Sequence, residues 1–305
     1  MRARTAALHI GGLLILGILG GGTARAEPPG ILLLAHGGSA EWNAHVSNLA
    51  RQVDGTAPTE VAFGMATRAT IQAALDRLGA RGVHRVVAVP LFVSSWSSVI
   101  TSTAYLLGVR ADAPPELALY ARMSHSPASG GASRHDDHGA ADAETPVRTT
   151  IPVRMAPALN DHPIVAEILT SRARSISRNP ADEAVVLVAH GPTADAENRR
   201  WQSDMASLAE QMSRAAPFAS IDSLTLRDDA PKAIRDRATA ELRALVTKRL
   251  GEGRRVLIVP LLVSFGGIER GLRQRLEGLV YVMPHAALVP DDRLVAWVLA
   301  MANER

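Results

Sequence analysis

Two histidines stand at matching places in this chain of 305 residues: "ILLLAH" ends at His36 and "VVLVAH" ends at His190, each followed by a glycine. A neutral imidazole can ligate a divalent cation or accept a proton near neutral pH. A lone histidine in such a position more often caps the next helix or bonds a loop carbonyl. Its repetition within one chain shifts the reading toward chemistry. A third candidate is Glu269, which follows the apolar run "VPLLVSFGGI". A His and carboxylate pair can both bind metal and take protons; the alternative for Glu269 is an ion pair with Arg270 or Arg273 at a helix start. Gly266 and Gly267 would let a flat ligand come close to the backbone. With no cysteine in the sequence, any metal must be held by nitrogen or oxygen ligands.

The elements that position these residues can be read from periodicity. After the first run, Trp42, Val46, Leu49 and Val53 recur at steps of four, three and four, as one apolar stripe of a helix does; Trp201, Met205, Leu208 and Met212 repeat those steps after the second run. Further along, "VHRVVAVPLFVSS" (83–95) matches "GRRVLIVPLLVSF" (253–265). Such unalternated, β-branched runs predict strands covered on both faces, hence parallel sheets with crossover helices. The reading is an α/β protein made of a tandem duplicated unit, 28–177 and 183–305, joined by "SRNPAD". Ligands of open parallel sheets bind outside the carboxyl ends of the strands, where both histidines fall.

Four segments, "LLLAHGGSAEWNAHVSNLA", "VVAVPLFVSS", "PALNDHPIVAEIL" and "VLIVPLLVSFGGIE", resemble the sirohydrochlorin cobaltochelatase and ferrochelatase family of the CbiX type. The resemblance implies two flavodoxin-like domains facing each other across a cleft, in which a divalent metal is inserted into a tetrapyrrole. Co2+ is the first expectation, with Fe2+ or Ni2+ as others; the metal is substrate, and no organic cofactor is implied. His36 and His190 fall at the family's first active-site histidine. The second family histidine would follow the "VPLF" strand, where this chain has Trp96, Ser98 and Ile268 instead. Glu269 is the expected compensator, since related ferrochelatases use a His and Glu pair. Ser95, Trp96, Ser98, Arg227, Gly266 and Gly267 are expected substrate contacts, with Arg68 and Arg270 beside them, because a macrocycle rich in carboxylates asks for arginines, hydroxyls and backbone donors. The alternative function is a noncatalytic periplasmic carrier of metal or tetrapyrrole. A histidine phosphatase is disfavoured because Ala35 and Ala189 stand where an arginine would hold phosphate. A two-lobed solute-binding protein would share the shape, and fold analogy alone gives no function.

Residues 1–26 read as a secretory signal: arginines, a short apolar stretch from Ile10 to Leu19, and Ala24-Arg25-Ala26 before the cut. This predicts a periplasmic or secreted protein without stable membrane insertion. Of the 33 Lys and Arg, Arg2, Arg4 and Arg25 lie in that segment, which leaves 30 against 30 Asp and Glu. A neutral balance gives no support for a nucleic-acid partner. Residues 124–146, rich in Ser, Gly, Ala and Asp, read as a surface loop whose His125, His135 and His138 could recruit metal or be merely solvated. His162 and His285 read as structural, His45 and His84 as surface positions. A duplicated chain is expected to work as a monomer or homodimer.

Overall fold

The computed structural model describes residues 27–124 and 142–304. The leader and the three loop histidines lie outside the described residues. The first lobe runs β1 (Gly30–Ala35), α1 (Ala40–Asp54), β2 (Thr59–Phe63), α2 (Arg68–Ala80), β3 (Val86–Pro90), α3 (Ser98–Leu106), α4 (Leu117–Ser124), β4 (Val153–Met155) and α5 (Pro163–Ile176). The second runs β5 (Glu183–Ala189), α6 (Asp195–Ala215), β6 (Ser220–Thr225), α7 (Lys232–Gly251), β7 (Arg255–Leu261), α8 (Gly267–Arg275) and α9 (Arg293–Asn303). A single 3-10 turn, Pro180–Asp182, links them within the "SRNPAD" segment.

Both sheets are parallel, with orders β2-β1-β3-β4 and β6-β5-β7. The central strands β1 and β5 are buried along their whole length, as an apolar run without alternation requires. Alternation survives in which layer each residue faces. Ile31, Leu33, Val185 and Leu187 point into one core shared by the two lobes. Leu32 and Leu34 point to α2, α3 and α4, whereas Val186 and Val188 point to α7 and α8.

The shared core is filled by four helices between the sheets. The α1 stripe buries Val46, Leu49 and Val53, with Trp42 partly covered; on α6, Trp201, Met205, Leu208 and Met212 are all buried. The other two helices are exchanged. Helix α5, which ends the first lobe, packs on β7 and α6 of the second. Helix α9, which ends the chain, packs on β3 and α1 of the first. Arg154 on β4 donates to the carbonyls of Met301 (2.8 Å) and Ala302 (3.0 Å), placing a cation where the dipole of α9 is negative. Arg172 on α5 donates to the carbonyls of Ala287 (2.9 Å) and Pro290 (2.8 Å) in the same manner of cross-tie. No helix among the described residues is long and apolar enough to cross a membrane.

Candidate functional site at the lobe junction

Both histidines leave a strand at its carboxyl end and are followed by glycine in the left-handed region, Gly37 at φ +77° and Gly191 at φ +75°. At Gly191 a β-carbon would come within 2.6 Å of Thr225 Cβ, so the turn after His190 requires glycine on two counts. His36 is exposed, its Nδ1 lying 2.6 Å from the carbonyl of Gly37 and its ring 5.8 Å from that of Trp42. His190 is partly covered, and its Nε2 lies 3.3 Å from a carboxylate oxygen of Asp229, in the loop after β6. That carboxylate is largely exposed, which leaves the pair open to an incoming group.

Arg227 had been expected to meet substrate, and its setting is different. It is buried at φ +56°, and its backbone N–H donates to the His190 carbonyl at 2.7 Å. Its guanidinium bonds the carbonyls of Pro192 (2.7 Å) and Thr193 and the carboxylate of Asp195 (2.8 Å). With its donors turned inward, Arg227 clamps the loop that follows His190. Arg68 is likewise engaged, with Asp142 and the Thr145 carbonyl; Arg270 is exposed.

Glu269 sits in the first turn of α8 and is ion-paired with Arg273 one turn later, the second of its sequence alternatives. No hydrogen bond, ion pair or ring contact among the described residues joins His36, His190 and Glu269. Among the described residues, moreover, no three His, Asp or Glu side chains gather as a metal-binding group. The expected ligand set is therefore not assembled as one cage. Gly266 and Gly267 have open space where a β-carbon would be.

The loop after β3 carries the other expected contacts. Ser95 is locked in it: its N–H donates to Asn160 Oδ1 (2.7 Å), and its hydroxyl accepts from the Ala158 N–H (2.9 Å). Ser98 shares a 2.6 Å hydrogen bond with the Tyr120 hydroxyl. Trp96 is exposed, yet its backbone is held from both sides: its N–H donates to Ser94 Oγ (3.1 Å), and its carbonyl accepts the Trp201 indole N–H from the other lobe (2.7 Å). The guanidinium of Arg200 on α6 lies 4.2 Å over the Trp96 ring. Of the remaining histidines, His162 accepts from the Ile164 N–H and caps α5. His84 and His285 are exposed, and His45 is partly covered, its Nδ1 without a partner.

Sequence reasoning missed four groups that meet here. Burial, then the fields of Glu116, Glu197 and Asp229, hold the Tyr120 hydroxyl above its ordinary range, although the Ser98 bond opposes them. Burial and then Glu116 raise Glu197, in the first turn of α6. The fields of Glu116 from the first lobe and of Glu197 and Asp229 from the second thus overlap at Tyr120. The only available signal was the acidic pair in "LRDD" after β6, and no periodicity marks it.

Asp204, one turn beyond Arg200 on α6, is pushed up to about 6, by burial first and then by Asp161; the Trp96 side chain and Arg200 oppose the shift. One of its oxygens is buried without a partner. The native carboxyl therefore keeps its proton up to about pH 6, whereas an unfolded one loses it near 3.8. Native stability is expected to rise as pH falls from above 6 toward 4, by about 1–2 kcal/mol once solvent screening is allowed for. Asp204→Asn should flatten that slope in urea denaturation and stabilise the protein at pH 7.5.

Two hollows elsewhere on the surface, one lined by α6 and β6 residues such as Ala209 and Ile221, the other by Leu75 and 147–151, contain none of these groups.

Comparison with solved structures places this geometry. Over 91% of this chain and 95% of the other, it superposes on SirB from Bacillus subtilis with Fe3+ at a TM-score of 0.59 and 14% identity. The complex of SirB from Bacillus subtilis subspecies spizizenii with cobalt gives 0.54 at 14% identity, over 91% and 94%. DR2241 from Deinococcus radiodurans, a multi-domain protein with structural similarity to chelatases, gives 0.50 at 19% identity, over 91% of this chain and 56% of that one. At these identities the likeness is one of fold. No curated protein matches the sequence. The family model CbiX matches residues 30–176, from β1 to the end of α5, so the first lobe is similar to the CbiX chelatases.

Proposed function

We propose that this protein inserts a divalent metal, Co2+ in the first instance, into sirohydrochlorin or a closely related tetrapyrrole, and that it does so after export. The observation that carries the reading is the His190–Asp229 pair at the carboxyl edge of a parallel sheet in a chelatase-like fold. Insertion exchanges two pyrrole protons for the metal. A neutral His190 can take one of those protons or strip water from the metal, and Asp229 orients and charge-balances its ring. Glu197 and Glu116, whose fields act on Tyr120 together with that of Asp229, are the further candidate proton acceptors. His36, exposed beside Trp42, offers a second imidazole from the first lobe. Export rests on the arginine-flanked apolar leader.

The test is direct. Purified protein, incubated with sirohydrochlorin and Co2+, should yield the metallated absorbance spectrum faster than the spontaneous reaction. Among the described residues no three-ligand group is pre-assembled, which favours one competing reading, a carrier that binds without turning over. Spectral changes on binding with no rate above background would establish that reading and reject catalysis. The proposal does not require Glu269, whose carboxylate is engaged with Arg273. Glu269→Gln should leave the insertion rate within about threefold and lower stability by roughly 0.5 kcal/mol, the worth of an exposed i,i+4 pair; loss of the rate would return Glu269 to the mechanism.

A further inference from the structure

Arg200 is a cation at the junction, stacked on an aromatic ring and in the electrostatic reach of Asp204 one turn later. Its guanidinium lies 4.2 Å over the Trp96 ring, and among the described residues it makes no hydrogen bond or salt bridge. The backbone beneath that ring is bonded to Ser94 on its own loop and to Trp201 on α6, and the Trp96 side chain also hydrogen-bonds Asp204. A guanidinium stacked by one face keeps its N–H edge free, and that edge matches a carboxylate bidentately. Stacking also removes much of the rotamer freedom that a long side chain would otherwise lose on binding.

The surroundings give this edge a purpose. Glu116, Glu197, Asp229, Asp161 and Asp204 make the junction acidic, which suits a metal cation and departing protons. The same field repels a macrocycle that carries many carboxylates. Arg68 and Arg227, the other cations expected to greet such a substrate, are engaged within the chain. We propose that Arg200, fixed on Trp96, binds a carboxylate of the macrocycle and gives the site its preference for heavily carboxylated tetrapyrroles over porphyrins with few acidic groups. This rests on the chelatase reading above. Arg200 is the specificity-determining residue, and Trp96 acts through it as a positioning residue.

The experiment titrates metal-free protein with sirohydrochlorin and, separately, with protoporphyrin IX, a dicarboxylate, reading tryptophan quenching and absorbance. Arg200→Ala should weaken sirohydrochlorin binding about tenfold or more, as expected for a lost charge-assisted pair, and leave protoporphyrin within about twofold. Arg200→Lys keeps the charge and loses the fork, so it should recover only part of the affinity. Arg199→Ala removes the same charge from an exposed, unstacked neighbour and should leave the preference intact. Equal losses in Arg199→Ala and Arg200→Ala would reduce the effect to net charge and overturn the proposal, as would an unchanged preference in Arg200→Ala. Both results leave the chelatase reading standing. Wild-type protein that binds neither macrocycle would remove that reading, and this inference with it.

Discussion

A chain ended at Asp292 is expected not to fold. The deleted helix, α9, buries Leu294, Trp297, Val298, Met301 and Ala302 between β3 and α1 of the first lobe. The larger of these side chains contribute roughly 1.5–3 kcal/mol each by burial. Together they match the ~5–15 kcal/mol that separates a folded domain from its unfolded ensemble. The loss also strips the cover from β3, whose residues are buried on both faces, and leaves Arg154 without the helix end it caps. A gentler version of the experiment is Trp297→Ala, which should cost ~3–5 kcal/mol, since the indole is almost wholly enclosed. Urea denaturation followed by circular dichroism measures both. A truncated chain that unfolds cooperatively at the wild-type midpoint would show that the exchanged helix is dispensable.

The second large effect is chemical. His190→Ala is expected to lower kcat/KM for cobalt insertion by ~10²–10⁴-fold, the range for loss of a positioned proton acceptor, with far-ultraviolet dichroism unchanged because the imidazole is partly exposed and packs no core. Asp229→Asn keeps the shape and removes the charge that orients the ring, so a loss of about 10- to 100-fold is expected. If the two residues work as one unit, the double variant should be little worse than His190→Ala alone. His36→Ala reports on the other lobe. A loss as large as that of His190→Ala would show that both imidazoles serve one reacting centre; an unchanged rate would assign His36 to the loop and its Trp42 contact.

Much of this architecture was legible in the sequence because its signals are local. Buried parallel strands announce themselves as unbroken apolar runs, and the stripes of α1 and α6 appear at helical spacing from Trp42 and Trp201 onward. The placement of both histidines at strand ends followed directly. The exchange of α5 and α9 was not legible, because an apolar stripe specifies that a helix face is covered and not which sheet covers it. Arg227 was misread for a related reason: an arginine after a strand looks available until its left-handed backbone and inward bonds are seen. Asp229, Glu116 and Glu197 carry no pattern at all, being polar residues whose meeting depends on how two lobes close. Arg200 was hidden in the ordinary charged face of an amphipathic helix, and only the ring beneath it distinguishes it.

The crossing of α5 and α9 also sets an order on biosynthesis. The first lobe's strands leave the ribosome early, but the cover for β3 is synthesised only after the strands of the second lobe. Until α9 has emerged, that half of the molecule has an unfinished apolar face, so it cannot close ahead of the second lobe. A chain built this way commits to its native state late and all at once.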